Sequence, residues 1–247
     1  MPYIRLGLWI FWMILVTAVL MFGIFPAYPI ARLLGVAENF SHRYNIFWSR
    51  VCIFWLPVQL HGEENLLTDQ PVMLMSNHQG NMDIFAYNKA LKMQFRWLSK
   101  TSIFRIPVTG WCMYMARYIP IERNSLKDSK RAMDEVYSRL TREKKTVLVF
   151  PEGTWCKPDG HLLSFKRGVF LTAVKAKIPI QVSVIYGSHL VMPGDSYTLR
   201  RKPIHIHILH PLFPEEYESW SEQQLMEWVR EQMTQKLQAI RASYPNR

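Results

Sequence analysis

The chain opens on an apolar stretch, Leu6 to Phe25, that carries no charged residue. A helix of that length covers roughly 30 Å at about 1.5 Å per residue, the thickness of a hydrocarbon core. Trp9 and Trp12 stand near its start and Tyr28 just past its end, where amphipathic rings favour the membrane–water interface. The run is too long for the apolar part of a signal peptide, and no small-residue cleavage site follows it. Pro26 and Pro29 are expected to break the chain next. From Phe40 to Leu60, Phe47, Trp48, Val51, Ile53 and Trp55 alternate with His42, Arg43 and Arg50. That mixture predicts a helix lying in the interface rather than crossing it. Residues 1–60 therefore read as a membrane-anchoring helical pair, and both a spanning first helix and a shallow re-entrant one satisfy them.

After Leu60 the pattern changes to short β-rich runs alternating with amphipathic stretches. Strands are predicted at Val72–Ser76, Phe95–Ser99, Arg117–Ile121, Thr146–Phe150, Ile180–Tyr186 and Ile204–Leu209. Leu126, Met133, Val136, Tyr137 and Leu140 recur at helical spacing behind Ser125 and Asp128, which are placed as a capping box. A later helix starts at Ser221, with Gln224 completing a second box, and runs through Leu225, Val229, Met233, Leu237 and Ile240. The predicted fold class is α/β: a mixed, largely parallel sheet covered by helices, with the N-terminal membrane-associating helical pair attached. Residues 61–247 form the globular domain in this reading.

A formal charge of +11 points to an anionic partner, and a nucleic acid or an anionic bilayer would both fit it. The basic residues, from Arg96 and Lys100 through Arg105, Arg117 and Arg123 to Arg200-Arg-Lys202, are spread rather than gathered into a tail. Most read as solvated surface. Arg32, Arg43 and Arg50 follow the first segment while only Arg5 precedes it, so the globular part is placed on the cytoplasmic side of a membrane. Cys52, Cys112 and Cys156 lie far apart without a CxxC, so neither a disulfide framework nor a zinc knuckle is indicated. His205, His207 and His210 read as a solvated strand face with no acidic or thiol ligand near, and no metal is expected. No GxGxxG or Walker pattern occurs, so nucleotide hydrolysis lacks support.

Two strings carry the chemistry. In Asn77-His-Gln-Gly-Asn-Met-Asp83, a histidine leaves the end of a predicted strand and an aspartate follows about one helical turn later. A carboxylate so placed keeps one imidazole nitrogen protonated and leaves the other free to take a proton from an attacking hydroxyl. Backbone N–H groups near Gly80 and Asn81 are candidates for holding an oxyanion. In Phe150-Pro-Glu-Gly-Thr154, Pro151 ends a central strand and Gly153 allows a tight turn, which presents Glu152 at the same sheet edge. Lys166 and Arg167 then open another helix, where bases oppose the helix dipole and phosphate binding would justify them. Without the second string, His78 and Asp83 would read as a surface histidine and a helix-capping aspartate.

Taken in order, the blocks Asn77–Asp83, Tyr118-Ile-Pro-Ile-Glu-Arg123, Phe150–Thr154 and Ile178-Pro-Ile-Gln-Val182 resemble the glycerolipid acyltransferases, most nearly those that act on lysophosphatidic acid. The stretch Lys100 to Trp111 resembles the family's segment between the first two blocks. The resemblance covers about Val72 to Leu212. It implies transfer of a fatty acyl group from acyl-CoA or acyl carrier protein to the hydroxyl of a lysophospholipid, without an acyl-enzyme and without a cofactor or metal. It implies His78 as base and Asp83 as its orienting partner. It also implies Lys100 and Arg123 on the phosphate and Glu152, Gly153 and Thr154 shaping the acceptor site, with Lys166 a further phosphate contact. Membrane lipids, not nucleic acid, are then the expected partners, at the cytoplasmic face of the inner or plasma membrane. Two departures stand out: Trp155 occupies a position where the family carries arginine, and Ser183 one where it carries proline. The first leaves another lyso-lipid open as the acceptor. A non-catalytic membrane-tethered basic module is the alternative from another class.

Overall fold

The structure, a computed structural model, describes residues 2–122, 125–156, 161–193 and 198–244. A seven-stranded sheet forms its centre, in the order β1-β7-β6-β2-β5-β3-β4. The strands are β1 (Val58–His61), β2 (Met73–Ser76), β3 (Phe95–Lys100), β4 (Ile119–Ile121), β5 (Thr146–Val149), β6 (Ile180–Tyr186) and β7 (Ile204–Ile208). β6, β2, β5, β3 and β4 run parallel, while β7 is antiparallel to β6 and carries β1 parallel to itself. β5 and β6 are buried along their whole length, and β5 reads accordingly as a near-continuous apolar run. Gln181 and Ser183 of β6 are buried on hydrogen bonds, Gln181 to Leu67 N–H and Leu209 C=O and Ser183 to the Tyr87 hydroxyl.

Alternate strand residues feed two cores. Leu74, Leu148, Phe95 and Trp97 face α1 (Pro2–Leu33), α2 (Ala37–Cys52) and α3 (Met82–Ala90). The short helices α4 (Thr101–Phe104) and α5 (Thr109–Met115) complete this side. Met73, Met75, Val147 and Val149 face α6 (Leu126–Thr141), α7 (Arg167–Ala176) and α10 (Glu222–Ser243). Two short helices, α8 (Ser188–Val191) and α9 (Pro214–Tyr217), lie in the later connections. α6 is capped by Ser125, whose hydroxyl accepts from Asp128 N–H, and α10 by the full reciprocal box of Ser221 and Gln224.

Several expectations need correction. Pro26 and Pro29 do not break the first helix; both lie inside α1, which runs on to Leu33. The stop is Gly35 at φ +70°, where Val36 N–H bonds Ala31 C=O and Gly35 N–H bonds Arg32 C=O, closing a left-handed helix cap. The segment 40–60 is not one helix: α2 ends at Cys52 and Val58–His61 joins the sheet edge. Only pairing with β7, remote in sequence, makes that strand. Arg96 belongs to no solvated surface. It is fully buried in β3, where Nε donates to Glu38 Oε1 at 2.6 Å and Nη2 to Asn39 Oδ1 at 2.9 Å, fastening α2 to the sheet. His205 is likewise buried, stacked on Tyr244 and 3.2 Å from His61, because β1 and α10 cover that face. No metal-binding cluster occurs among the described residues.

α1 lies lengthwise against the rest of the protein. Trp9, Val16, Ile24 and Ala31, seven or eight residues apart, are its buried stripe. The indoles of Trp9 and Trp12 donate to the carbonyls of Cys52 and Val51, and Trp48 of α2 donates to Thr17. On its outer side Leu8, Phe11, Phe22 and Leu33 are exposed.

Candidate active site

Parallel pairing brings the C-terminal ends of β2, β5, β3 and β6 to one edge, so the segments after them meet there. Asn77 continues the sheet with its side chain: Nδ2 donates to Ile185 C=O at 2.9 Å and Oδ1 accepts from Ile185 N–H at 2.8 Å. His78 is thus delivered at a fixed height above β2. Its N–H donates to Glu152 Oε1 at 2.8 Å and its C=O accepts from Cys156 N–H at 2.7 Å, tying it to the segment after β5.

The imidazole Nδ1 donates to Asp83 Oδ2 at 2.7 Å. The same oxygen accepts from Gln79 N–H at 2.6 Å and Gly80 N–H at 3.0 Å. Because Asp83 can only accept when ionised, His78 carries its proton on Nδ1 and presents a bare Nε2. One ring face is covered by Phe150, parallel at 4.0 Å between centroids, and Trp155 stands edge-on at 6.2 Å. Asp83 is fully buried and His78 almost so.

Glu152 is a clamp rather than a free acid. Its second oxygen accepts from Leu163 N–H at 2.7 Å, so one carboxylate joins the β2 and β5 segments to the approach of α7. Burial pushes its carboxyl above the ordinary range, against the downward pull of those two N–H donors. Gly153, at φ +70°, lies under the methylene stem of Lys166; a Cβ there would meet Lys166 Cγ at 3.3 Å. Lys166 N–H donates to Pro151 C=O at 2.8 Å, so the two sites expected to meet the acceptor adjoin each other. Lys100 is exposed at the end of β3, one strand beyond β5 on the same edge, and Thr154 is exposed past the Glu152 turn. Arg123 lies outside the described residues.

Two expectations change here. Gly80 N–H is committed to Asp83, which leaves Asn81, at the start of α3, as the remaining oxyanion candidate of that pair. Arg167 pairs with Glu222 of α10, which accounts for a base at the start of α7 without a phosphate.

Beside the histidine loop an apolar cavity of about 410 Å³ runs between α1, α2, α3 and α5. Met13, Leu20, Ile24, Trp48, Phe85 and Met113 line it, and Asn81 brings it to the histidine loop. Sequence patterning could not find this cavity, because its walls come from segments as far apart as Trp9 and Met192. It also could not find Phe150 as a ring support, or Ser183 as a partner of Tyr87. The Tyr87 hydroxyl lies 2.8 Å from Ser183 Oγ and donates to Ser76 Oγ at 2.6 Å, so the serine in the proline position fills a buried polar site.

Residues 57–186 match the family model described as Acyltransferase. The chain belongs to the acyltransferase family. Among curated acyltransferase relatives, the chloroplastic 1-acyl-sn-glycerol-3-phosphate acyltransferase LPAT1 of Arabidopsis thaliana is 33% identical over 183 residues, covering 68% of this chain and 49% of the relative. The 1-acyl-sn-glycerol-3-phosphate acyltransferase of Saccharomyces cerevisiae is 27% identical, covering 75% and 61%. The chain spans about half the length of the chloroplastic relatives it matches. In fold it is similar to the crystal structure of the 1-acyl-sn-glycerophosphate acyltransferase PlsC of Thermotoga maritima, with a TM-score of 0.76, 24% identity and 98% of both chains covered.

Proposed function

We propose that this acyltransferase moves a fatty acyl group from a thioester to the free hydroxyl of lysophosphatidic acid, giving phosphatidic acid. The observation that carries the reading is the His78–Asp83 pair, 2.7 Å apart beside an apolar cavity that reaches its loop. That the plant and yeast relatives are 1-acyl-sn-glycerol-3-phosphate acyltransferases supports the choice of acceptor.

In this mechanism the acyl chain lies in the cavity with its carbonyl carbon near Asn81. His78 Nε2 takes the proton of the lipid hydroxyl as its oxygen attacks that carbon, and Asp83 stabilises the imidazolium formed. The tetrahedral oxyanion is met by N–H groups at the start of α3. Collapse expels the thiolate, which recovers the proton from His78. Lys100 and Lys166 meet the acceptor phosphate, with Arg123 expected to join them, and the Glu152 clamp keeps the histidine main chain and the acceptor side in register. The thioester donor is acyl-CoA or acyl carrier protein. No cofactor or metal has a step to perform.

The membrane enters through α1. Its inner stripe is pinned to the protein and its outer face is bare and apolar, an arrangement suited to lying in one leaflet with the catalytic domain on the cytoplasmic side. Trp155 beside His78 favours one second reading, an acceptor whose headgroup needs fewer cationic contacts than lysophosphatidic acid. Purified protein supplied with labelled acyl-CoA or acyl carrier protein and a panel of lyso-lipids tests both. The proposal expects lysophosphatidic acid to be preferred and His78→Ala to lower turnover by at least about 10²-fold with the fold retained. A phosphate-free acceptor outperforming it would replace the acceptor assignment, and an active His78→Ala protein would remove the mechanism.

A further inference from the structure

Behind the catalytic pair stands a second imidazole. Gln79, 2% exposed, uses its main-chain N–H to hold Asp83 Oδ2. Its side-chain Oε1 accepts from Gly187 N–H at 3.0 Å and from His189 Nδ1 at 2.8 Å. The Gly187 N–H can only donate, so the atom facing it must be the amide oxygen, and His189 must therefore carry its proton on Nδ1. The amide is spent on its oxygen: among the described residues Gln79 Nε2, though buried, has no hydrogen-bond partner.

This link follows from sheet order. β6 is the neighbour of β2 on the side away from β5, so the turn after β6 abuts the histidine loop as the Glu152 turn does on the other side. Gly187 holds φ +99°, and a Cβ there would meet Pro203 C=O at 2.4 Å, so glycine is required for the turn that delivers His189.

We propose that Gln79 and His189 position the His78–Asp83 pair, and that charging His189 weakens His78 as a base. The first part follows from the chain of contacts: His189 fixes the Gln79 side chain, which fixes the loop whose N–H groups orient Asp83. The second follows from Coulomb's law. Asp83 strengthens His78 by stabilising its cation, and a second cation beside Asp83 offsets that carboxylate. The groups facing His189 agree with a neutral resting state. Burial holds its imidazole below the ordinary histidine value, Asp83 of α3 pulls upward, and Arg241 of α10 pushes down; Tyr186 of β6 packs edge-on at 5.5 Å.

The inference rests on the acyl-transfer reading of His78, so the experiment separates the two. Turnover of wild type, His78→Ala, His189→Leu and His189→Asn is measured with acyl-CoA and lysophosphatidic acid from pH 5 to 9, with thermal unfolding as the check on folding. Asparagine keeps a donor near the Nδ1 position but cannot take a proton. His189→Leu should lower kcat about tenfold while leaving KM within about twofold. His189→Asn should recover kcat to within about threefold at pH 8. The acid limb of wild type should steepen from one proton toward two as pH falls, and that of His189→Asn should stay at one. Wild type without acyl transfer would overturn the functional reading and this inference with it. Active wild type with inactive His78→Ala, but with His189→Leu matching wild type in kcat and acid limb, would overturn the inference alone.

Discussion

At the scale of single residues, Glu152 and His42 show how burial sets a role. Glu152 satisfies two main-chain donors that no other described side chain reaches, one on each side of the site. Glu152→Gln offers one acceptor oxygen instead of two and sets an amide N–H₂ against a main-chain N–H. We expect a loss of about 1–3 kcal/mol in unfolding free energy, read by urea denaturation, together with lower kcat as His78 loses its anchor. Unchanged stability would mean the clamp carries nothing. His42 sits in α2, with Nδ1 2.8 Å from the Tyr118 hydroxyl and its ring edge-on to Phe95. Burial, with Arg96 adding to it, drives its value down to about 3. The unfolded chain therefore binds a proton near pH 6.5 that the folded one refuses. Stability is complete above about pH 6.5 and falls as the pH drops from there toward 3, by about 1.4 kcal/mol per pH unit for this group. Urea midpoints at pH 7.5 and 5.0 should differ accordingly, and His42→Asn should narrow the gap.

Elements were legible where local patterning and burial agree. β6 matches its predicted span, and α10 starts at its predicted box. β5 ends one residue short of the expected Phe150, whose ring turns away to stack on His78. The misreadings fall where distant chain decides the outcome: β1 exists only as a partner of β7, and α1 survives two prolines because its stripe is packed along its length. What ends α1 is the left-handed Gly35, which has open space around a Cβ but a φ that other residues adopt at a cost. Gly35→Ala should destabilise the α1–α2 hairpin by about 1–2 kcal/mol, detectable as faster amide exchange in residues 30–40 with the sheet unaffected.

For the whole molecule, the N-terminal pair and the sheet share one core. Trp9 and Val16 belong to the same apolar cluster as Leu74, Phe95 and Trp97, and the same helices wall the cavity. A protein lacking residues 1–52 should therefore aggregate rather than behave as a soluble domain, since it bares a sheet face and half a cavity. Sedimentation of the truncated protein in the absence of detergent checks this; a monodisperse, active fragment would contradict it.

The sequence alone determined that strands alternate with helices, that the first helix is apolar enough for a bilayer, and that the two strings holding His78, Asp83 and Glu152 follow strand ends. These follow from short-range periodicity, turn chemistry and residue type. Tertiary structure alone decided that β5 and β6 flank β2, and so which side chains close around the histidine: Glu152 and Phe150 from one neighbour, Gly187 and His189 from the other. Strand order is set by the packing of two cores built from the entire chain, and no local stretch encodes it.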